Sequence, residues 1–218
     1  MRLTIVYDNN ADGSLAGGWG FSFFIRSDNS NILFDTGWDG HLLLDNLGKL
    51  GISADEIDKV VLSHQHWDHI GGLPCLLNAN PSLEVYVPAS FSSRLKDEIS
   101  ERAELIEVSN AMEICANVHS TGEIGGNIKE QSLILKSGRG VCLVTGCAHP
   151  GLAEIVDATS NFGKLVGVIG GLHSSNEYGL LEGLDLIAAC HCTFHKKEIS
   201  KRFPGSFRDA CAGWSVEL

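Results

Sequence analysis

Val60–Pro74, VVLSHQHWDHIGGLP, is the stretch that decides the fold. Val60, Val61 and Leu62 make a short apolar run of the kind that becomes a buried strand. The run stops at Ser63, and four residues able to bind a metal follow within six positions: His64, His66, Asp68 and His69. Gly71, Gly72 and Pro74 then punctuate the entry into a helix. Neutral imidazole and carboxylate are ligands of zinc and similar divalent ions, and i, i+2 spacing in an extended loop points two imidazoles the same way. Two histidines alone on an apolar strand would more often be buried and satisfied by neighbours. Four donors on one loop, between a buried strand and a Gly-Gly turn, predict a metal site.

Working outward, Leu3–Tyr7, Gly20–Arg26 and Ile32–Phe34 read as strands, the last ending in Asp35-Thr36-Gly37. His41–Leu50 carries leucines at helical spacing, and Ser53 with Glu56 reads as a capping box for a short helix before Val60. Downstream, Leu73–Asn78 and Ser90–Glu101 read as helices around a strand at Leu83–Val87. Leu105–Val108, Glu113–Val118, Ser132–Lys136 and Val141–Thr145 read as four strands. A helix at Leu152–Phe162, strands at Leu165–Ile169 and Leu184–Ala189, a helix at Lys196–Phe203 and a closing strand at Trp214–Leu218 complete the chain. No linker or low-complexity tract divides it, so residues 1–218 are expected to form a single domain. Mixed sheets covered by helices would bury this much Val, Ile and Leu.

The 218 residues carry a net charge of −11, which argues against nucleic acid or an anionic membrane surface as the main partner, since both need a basic face. A small molecule is the expected partner, and oligomeric state is not legible. Seven scattered cysteines suit reduced thiols, the opening MRLTIVYD lacks the apolar core of a signal peptide, and no run approaches the ~20 apolar residues of a bilayer span. The expected location is the cytoplasm.

His64-x-His66-x-Asp68-His69 with Asp35-Thr36-Gly37 upstream resembles the metallo-β-lactamase superfamily over essentially the whole chain. That resemblance implies an α/β fold, a four-layer α/β/β/α sandwich of two mixed sheets with outer helices and a dinuclear metal site. It assigns His64 and His66 to metal one and Asp68 and His69 to metal two. Asp35 resembles the aspartate that supports the ligand loop from behind, beside the plainer reading of an Asx turn before Gly37.

Downstream the chain departs from the common pattern. Where most members have a histidine in a Thr-Pro-Gly-His-like turn, Ser120-Thr121-Gly122 leads to Glu123. Where the bridging aspartate is usual, Val144-Thr145-Gly146 leads to Cys147, with His149 two residues on. His149 is read as the replacement third ligand of metal one. Cys147 is either a thiolate ligand or a small buried thiol. His191 stands where the superfamily has its last ligand, on metal two, and Cys190 and Cys192 would point to the opposite face if the strand continued.

Val144–Gly151, Gly170-Gly171-Leu172-His173 and His191-Cys192-Thr193 resemble one branch of metal-dependent hydrolase-like proteins. That branch includes the archaeal dihydropterin-(ribofuranosyl)aminobenzene-phosphate synthase of methanopterin biosynthesis. Within it His173 is a candidate substrate or leaving-group contact, or else a turn residue after Gly-Gly. His195, at the start of a helix with Lys196 and Lys197, belongs to a phosphate contact or a solvated face.

The resemblance implies two divalent ions, zinc first with manganese or iron also suiting the donors, and a metal-activated hydroxide acting on a small ester, lactone, amide or phosphoester. Asp68 and His173 are the expected catalytic residues. Two alternatives stay open: a transferase joining a dihydropterin diphosphate to an arylamine at the same dinuclear site, and a non-catalytic metal-binding module.

Overall fold

A computed structural model describes residues 1–218, and the chain divides into two compact units: Met1–Val108 with Cys211–Leu218, and Ser109–Ala210. The first contains β1 (Arg2–Tyr7), β2 (Ser22–Arg26), β3 (Asn31–Phe34), α1 (Gly40–Lys49), β4 (Lys59–Val61), α2 (Trp67–Ile70), α3 (Leu73–Ala79), β5 (Glu84–Pro88), α4 (Ser93–Ser100) and β6 (Glu104–Val108). The second contains β7 (Asn110–Cys115), β8 (Val118–Gly122), β9 (Leu133–Ser137), β10 (Gly140–Thr145), α5 (Leu152–Ala158), β11 (Leu165–Gly171), β12 (Leu186–Cys190) and α6 (Lys196–Arg202). A last strand, β13 (Ser215–Glu217), returns to the first unit's sheet.

In the first unit the strand order is β13-β1-β2-β3-β4-β5-β6. The pairs from β13 to β3 are antiparallel and those from β3 to β6 are parallel. Each parallel step needs a crossover, and α1, then α2 with α3, then α4 supply them. The apolar stripe of α1 (Leu43 and Leu47, one turn apart) and that of α3 (Leu73, Leu76, Leu77) pack with Leu33, Val60 and Val85 of the sheet. Asp39 caps α1, its carboxylate accepting from the His41 and Leu42 amides.

The second unit orders its strands β12-β11-β10-β9-β8-β7. β10, β11 and β12 are parallel and the rest antiparallel. Leu152 and Ile155 of α5 and Ile199 of α6 pack with Leu143, Val168 and Ile187. Two mixed sheets with helices are the α/β class expected from sequence.

Parallel pairing decides where chemistry can collect. The loops after β3 and β4 leave the same edge of the first sheet, and the loops after β10, β11 and β12 leave one edge of the second. All the expected site residues lie on those five loops or on α2, which follows the β4 loop.

Three local expectations are corrected. Glu113–Val118 is a β7–β8 hairpin, because Asn117 adopts φ +67° and turns the chain. Ser53 and Glu56 do not form a capping box: Ser53 Oγ bonds Asp55, the turn Ala54–Glu56 is 3-10, and Glu56 pairs with Arg26 at 2.8 Å. The helix expected at Leu152–Phe162 stops at Ala158. No helix is long and apolar enough to cross a membrane, and no disulfide joins any of the seven cysteines.

Candidate metal centre

In the first unit the donors stand on a loop fixed from behind. Asp35 is fully buried at φ +60°, and its Oδ1 accepts the Ser63 amide at 2.7 Å. Its Oδ2 accepts from Ser63 Oγ and from His69 Nδ1, both at 2.7 Å. Thr36 donates its amide and hydroxyl to the His69 carbonyl at 2.7 and 2.9 Å. A Cβ on Gly72 would stand 2.2 Å from the Thr36 carbonyl oxygen, so the glycine lets the two loops close.

These bonds set the histidine tautomers. The single hydroxyl hydrogen of Ser63 goes to the Asp35 carboxylate, which only accepts. At 2.9 Å the same hydroxyl must therefore accept from His64 Nδ1. His69 Nδ1 likewise donates to Asp35. Both rings are left with a bare Nε2, the form in which imidazole binds a metal. His64 Nε2 faces His66 Nδ1 at 3.0 Å, and His69 Nε2 faces Asp68 Oδ2 at 3.7 Å. His64 thus neighbours His66, and His69 neighbours Asp68. The bare Nε2 atoms of His64 and His69, each beside a further donor, fit a divalent cation. His66 is exposed and Asp68 half-buried, so the pairs are reachable from solvent.

In the second unit the backbone is bent at each candidate. Of the five non-glycine residues with positive φ, Ala148 (+60°), His173 (+44°) and His191 (+48°) lie on its three loops and Asp35 lies in the first unit's site. Such conformations cost of order 1–3 kcal/mol apiece and persist where surrounding contacts over-determine them. A Cβ on Gly170 would stand 2.0 Å from the Thr145 carbonyl oxygen, which explains the first glycine of Gly170-Gly171.

The contacts that fix the Gly146–His149 loop come from a residue the sequence reading did not single out. Glu130, 1% exposed, accepts the amides of Gly146, Cys147 and Ala148 on Oε1 at 3.1, 2.9 and 3.0 Å, and that of His149 on Oε2 at 3.1 Å. Thr193 ties the other two loops together, donating to the Cys190 carbonyl at 2.8 Å and accepting from the Leu172 amide at 3.0 Å. The His149 and His173 rings face each other with centroids 5.1 Å apart, and His173 also meets Phe194 edge-on at 5.5 Å.

Cys192 corrects an expectation. The β12 strand ends at Cys190 and the chain turns at His191, so strict alternation stops there. Donor atoms of Cys147, His191 and Cys192 consequently lie within 4.8 Å of one another, a group able to hold a metal. Cys142, by contrast, is a core thiol whose pKa burial pushes up to about 12. Glu123, at the family's usual histidine position, pairs with Lys129 at 2.5 Å. His119 packs against Phe162 at 5.1 Å, and burial lowers its pKa. His195 stacks edge-on to Tyr178 at 6.4 Å.

The metallo-beta-lactamase superfamily profile matches residues 17–145, ending one residue before the Gly146–His149 loop where the pattern departs. The 7,8-dihydropterin-6-methyl-4-(beta-D-ribofuranosyl)-aminobenzene-5'-phosphate synthase of Methanocaldococcus jannaschii is 25% identical over 91% of this chain and 90% of its own length. Among solved structures, Tm1679, described as a metal-dependent hydrolase of the beta-lactamase superfamily, superposes with a TM-score of 0.80 at 25% identity, covering 100% of this chain and 99% of that one. Human tRNase Z, short form, shares the fold at 15% identity and a TM-score of 0.64 over 100% of this chain and 99% of its own. The fold itself is therefore no bar to nucleic acid, and the acidic charge alone argues against it. With the profile spanning the Asp35 loop, the paired donors and α2 through β10, the chain belongs to the metallo-beta-lactamase superfamily.

Proposed function

We propose that this chain is a metal-dependent hydrolase of a small ester, lactone, amide or phosphoester, acting as a single functional domain. Its centre takes His64, His66 and His149 on one divalent ion and Asp68, His69 and His191 on a second. Zinc suits these nitrogen and oxygen donors, as manganese and iron also do. The observation that carries the reading is the tautomer arrangement: Asp35 and Ser63 leave His64 and His69 with their lone pairs turned toward the neighbouring donors His66 and Asp68.

Divalent ions bound there would supply Lewis acidity and bring a water's pKa toward neutrality. The chain's own residues do the rest. Asp68, half-buried beside His69, accepts a hydrogen bond from the attacking water and orients it. His173, held beside His149, passes a proton from a ring nitrogen to the departing oxygen. Glu130 keeps the His149 loop in its bent conformation throughout. Seven cysteines without a disulfide suit a reducing compartment, and we place the protein in the cytoplasm.

The named synthase relative favours a second reading, in which the same donors serve transfer of a dihydropterin from diphosphate to an arylamine. The test uses protein loaded with zinc, manganese or iron. Turnover of aryl esters, lactones or phosphodiesters without an arylamine supports hydrolysis. Pyrophosphate release from a dihydropterin diphosphate only when an arylamine is present replaces it with transfer. Metal content well below one ion per chain by elemental analysis, with neither activity, would leave a non-catalytic module.

A further inference from the structure

Beside the donor loop, within the first unit, α2, α3 and α4 enclose a cavity of about 520 Å³. That volume lies in the range of sites for drug-sized molecules. Ile70, Leu73, Leu77 and Ile99 are apolar side chains of its wall, and each is buried. Its mouth differs. Trp67 lines it and is 66% exposed, although it stands between the candidate ligands His66 and Asp68. A large aromatic side chain left this open at the edge of an apolar cavity has a face available for stacking.

The charge around the cavity points to the rest of the ligand. Arg94 and Arg102 line it against a single carboxylate, Glu98, so its lining is net cationic in a chain of net charge −11. Arg102 is anchored, donating to the Pro74 carbonyl at 3.1 Å and to Asn78. Arg94 is exposed on the first turn of α4. A planar guanidinium recognises carboxylate or phosphate oxygens in a forked geometry. The rim is also tied to the donor loop, since Gln65, between His64 and His66, accepts the Ser92 amide at 3.0 Å.

We propose that this cavity is a binding site for a flat aromatic ring bearing an anionic substituent, the ring between Trp67 and the leucines and the anion on Arg94. As a substrate subsite it rests on the metal-centre reading above; as a ligand site it stands without it. The probe is 2-naphthoate, titrated calorimetrically into the full chain, with neutral 2-naphthylmethanol as comparison. Both test positions are at the surface or half-buried, so the variants fold: Arg94→Glu reverses the charge and Leu95→Trp fills the mouth.

Expected is binding of 2-naphthoate that weakens about tenfold in Arg94→Glu and is lost in Leu95→Trp, with 2-naphthylmethanol weaker and indifferent to Arg94→Glu. Binding that both variants leave unchanged means the carboxylate sits elsewhere, on metal included, and overturns the proposal. So does the absence of binding, or equal binding of the neutral probe. Metal content of the same samples is measured in parallel. A metal-poor protein that still binds 2-naphthoate removes the hydrolase reading and keeps the site, whereas a metal-rich one that does not bind removes the site alone.

Discussion

Asp35 and Glu130 do the same kind of work in the two units by different means. Each is a fully buried carboxylate behind a loop that carries candidate ligands. Asp35 spends two of its three bonds on side chains, the Ser63 hydroxyl and His69 Nδ1, and so decides which imidazole nitrogens keep a lone pair. Glu130 instead accepts four successive backbone amides, from Gly146 to His149. The first carboxylate sets the electronics of the donors and the second sets the path of the backbone. If that distinction holds, removing each should damage different observables.

Asp35→Ala should have the largest effect. It strands three buried donors at about 1–3 kcal/mol each and frees His69 and His64 to take the wrong tautomer. Metal affinity should fall by about 100-fold or more, beyond the 10–100-fold usual for outer partners of a ligand, with a loss of several kcal/mol in denaturant unfolding. An affinity within a few-fold of the parent would show that tautomer control is not Asp35's role.

Glu130→Gln comes next. The amide keeps an oxygen for most of the loop amides but loses the charge and turns an NH2 toward a donor, so about 2 kcal/mol of stability should go. Because Glu130 acts on the backbone amides of the loop, its metal affinity should fall by less than that of Asp35→Ala, about tenfold. Equal losses in the two variants would erase the contrast. Thr193→Val is smaller again: it leaves the Leu172 amide unsatisfied and should cost about 1 kcal/mol in a thermal melt, with the backbone at His173 loosened.

The same contrast explains what the sequence disclosed. Asp35 was legible because it sits in a compact Asp-Thr-Gly motif directly after a strand, and the four donors of the first unit are close neighbours along one loop. Glu130 lies 16 to 19 residues from the amides it holds, in a connection between strands with no motif of its own. A lone Glu amid Lys129 and Gln131 looks like a solvated charge, and only folding buries it. Cys192 was misplaced for a related reason. Alternation along a strand predicts its face only while the strand lasts, and His191 ends it at φ +48°. Asn117 hid the β7–β8 hairpin in the same way, a single left-handed residue inside an otherwise strand-like run.

The smallest effect belongs to the opposite end of the first sheet and serves as a control on the comparison. Lys59 and Glu84 are register partners at the amino ends of β4 and β5, and Glu84 also accepts from Tyr86 Oη at 2.7 Å. Burial raises the Glu84 pKa, but hydrogen bonds from Lys59 and Tyr86 outweigh it and hold the carboxyl below its usual value. A carboxyl depressed in the folded state contributes stability above its unfolded pKa and loses it as pH falls through the folded one. Glu84→Gln should therefore lower stability slightly at pH 7 and flatten the acid limb of the stability–pH curve, parent and variant converging as pH falls below about 4.5, the ordinary Glu range. Glu84 is partly exposed, so solvent screening keeps the change small. Its metal affinity should match the parent, because the donors leave the other end of β4. A fall in affinity here comparable to that of Glu130→Gln would mean that any carboxylate change in the chain disturbs the site, and that neither Asp35 nor Glu130 has the specific role argued for it.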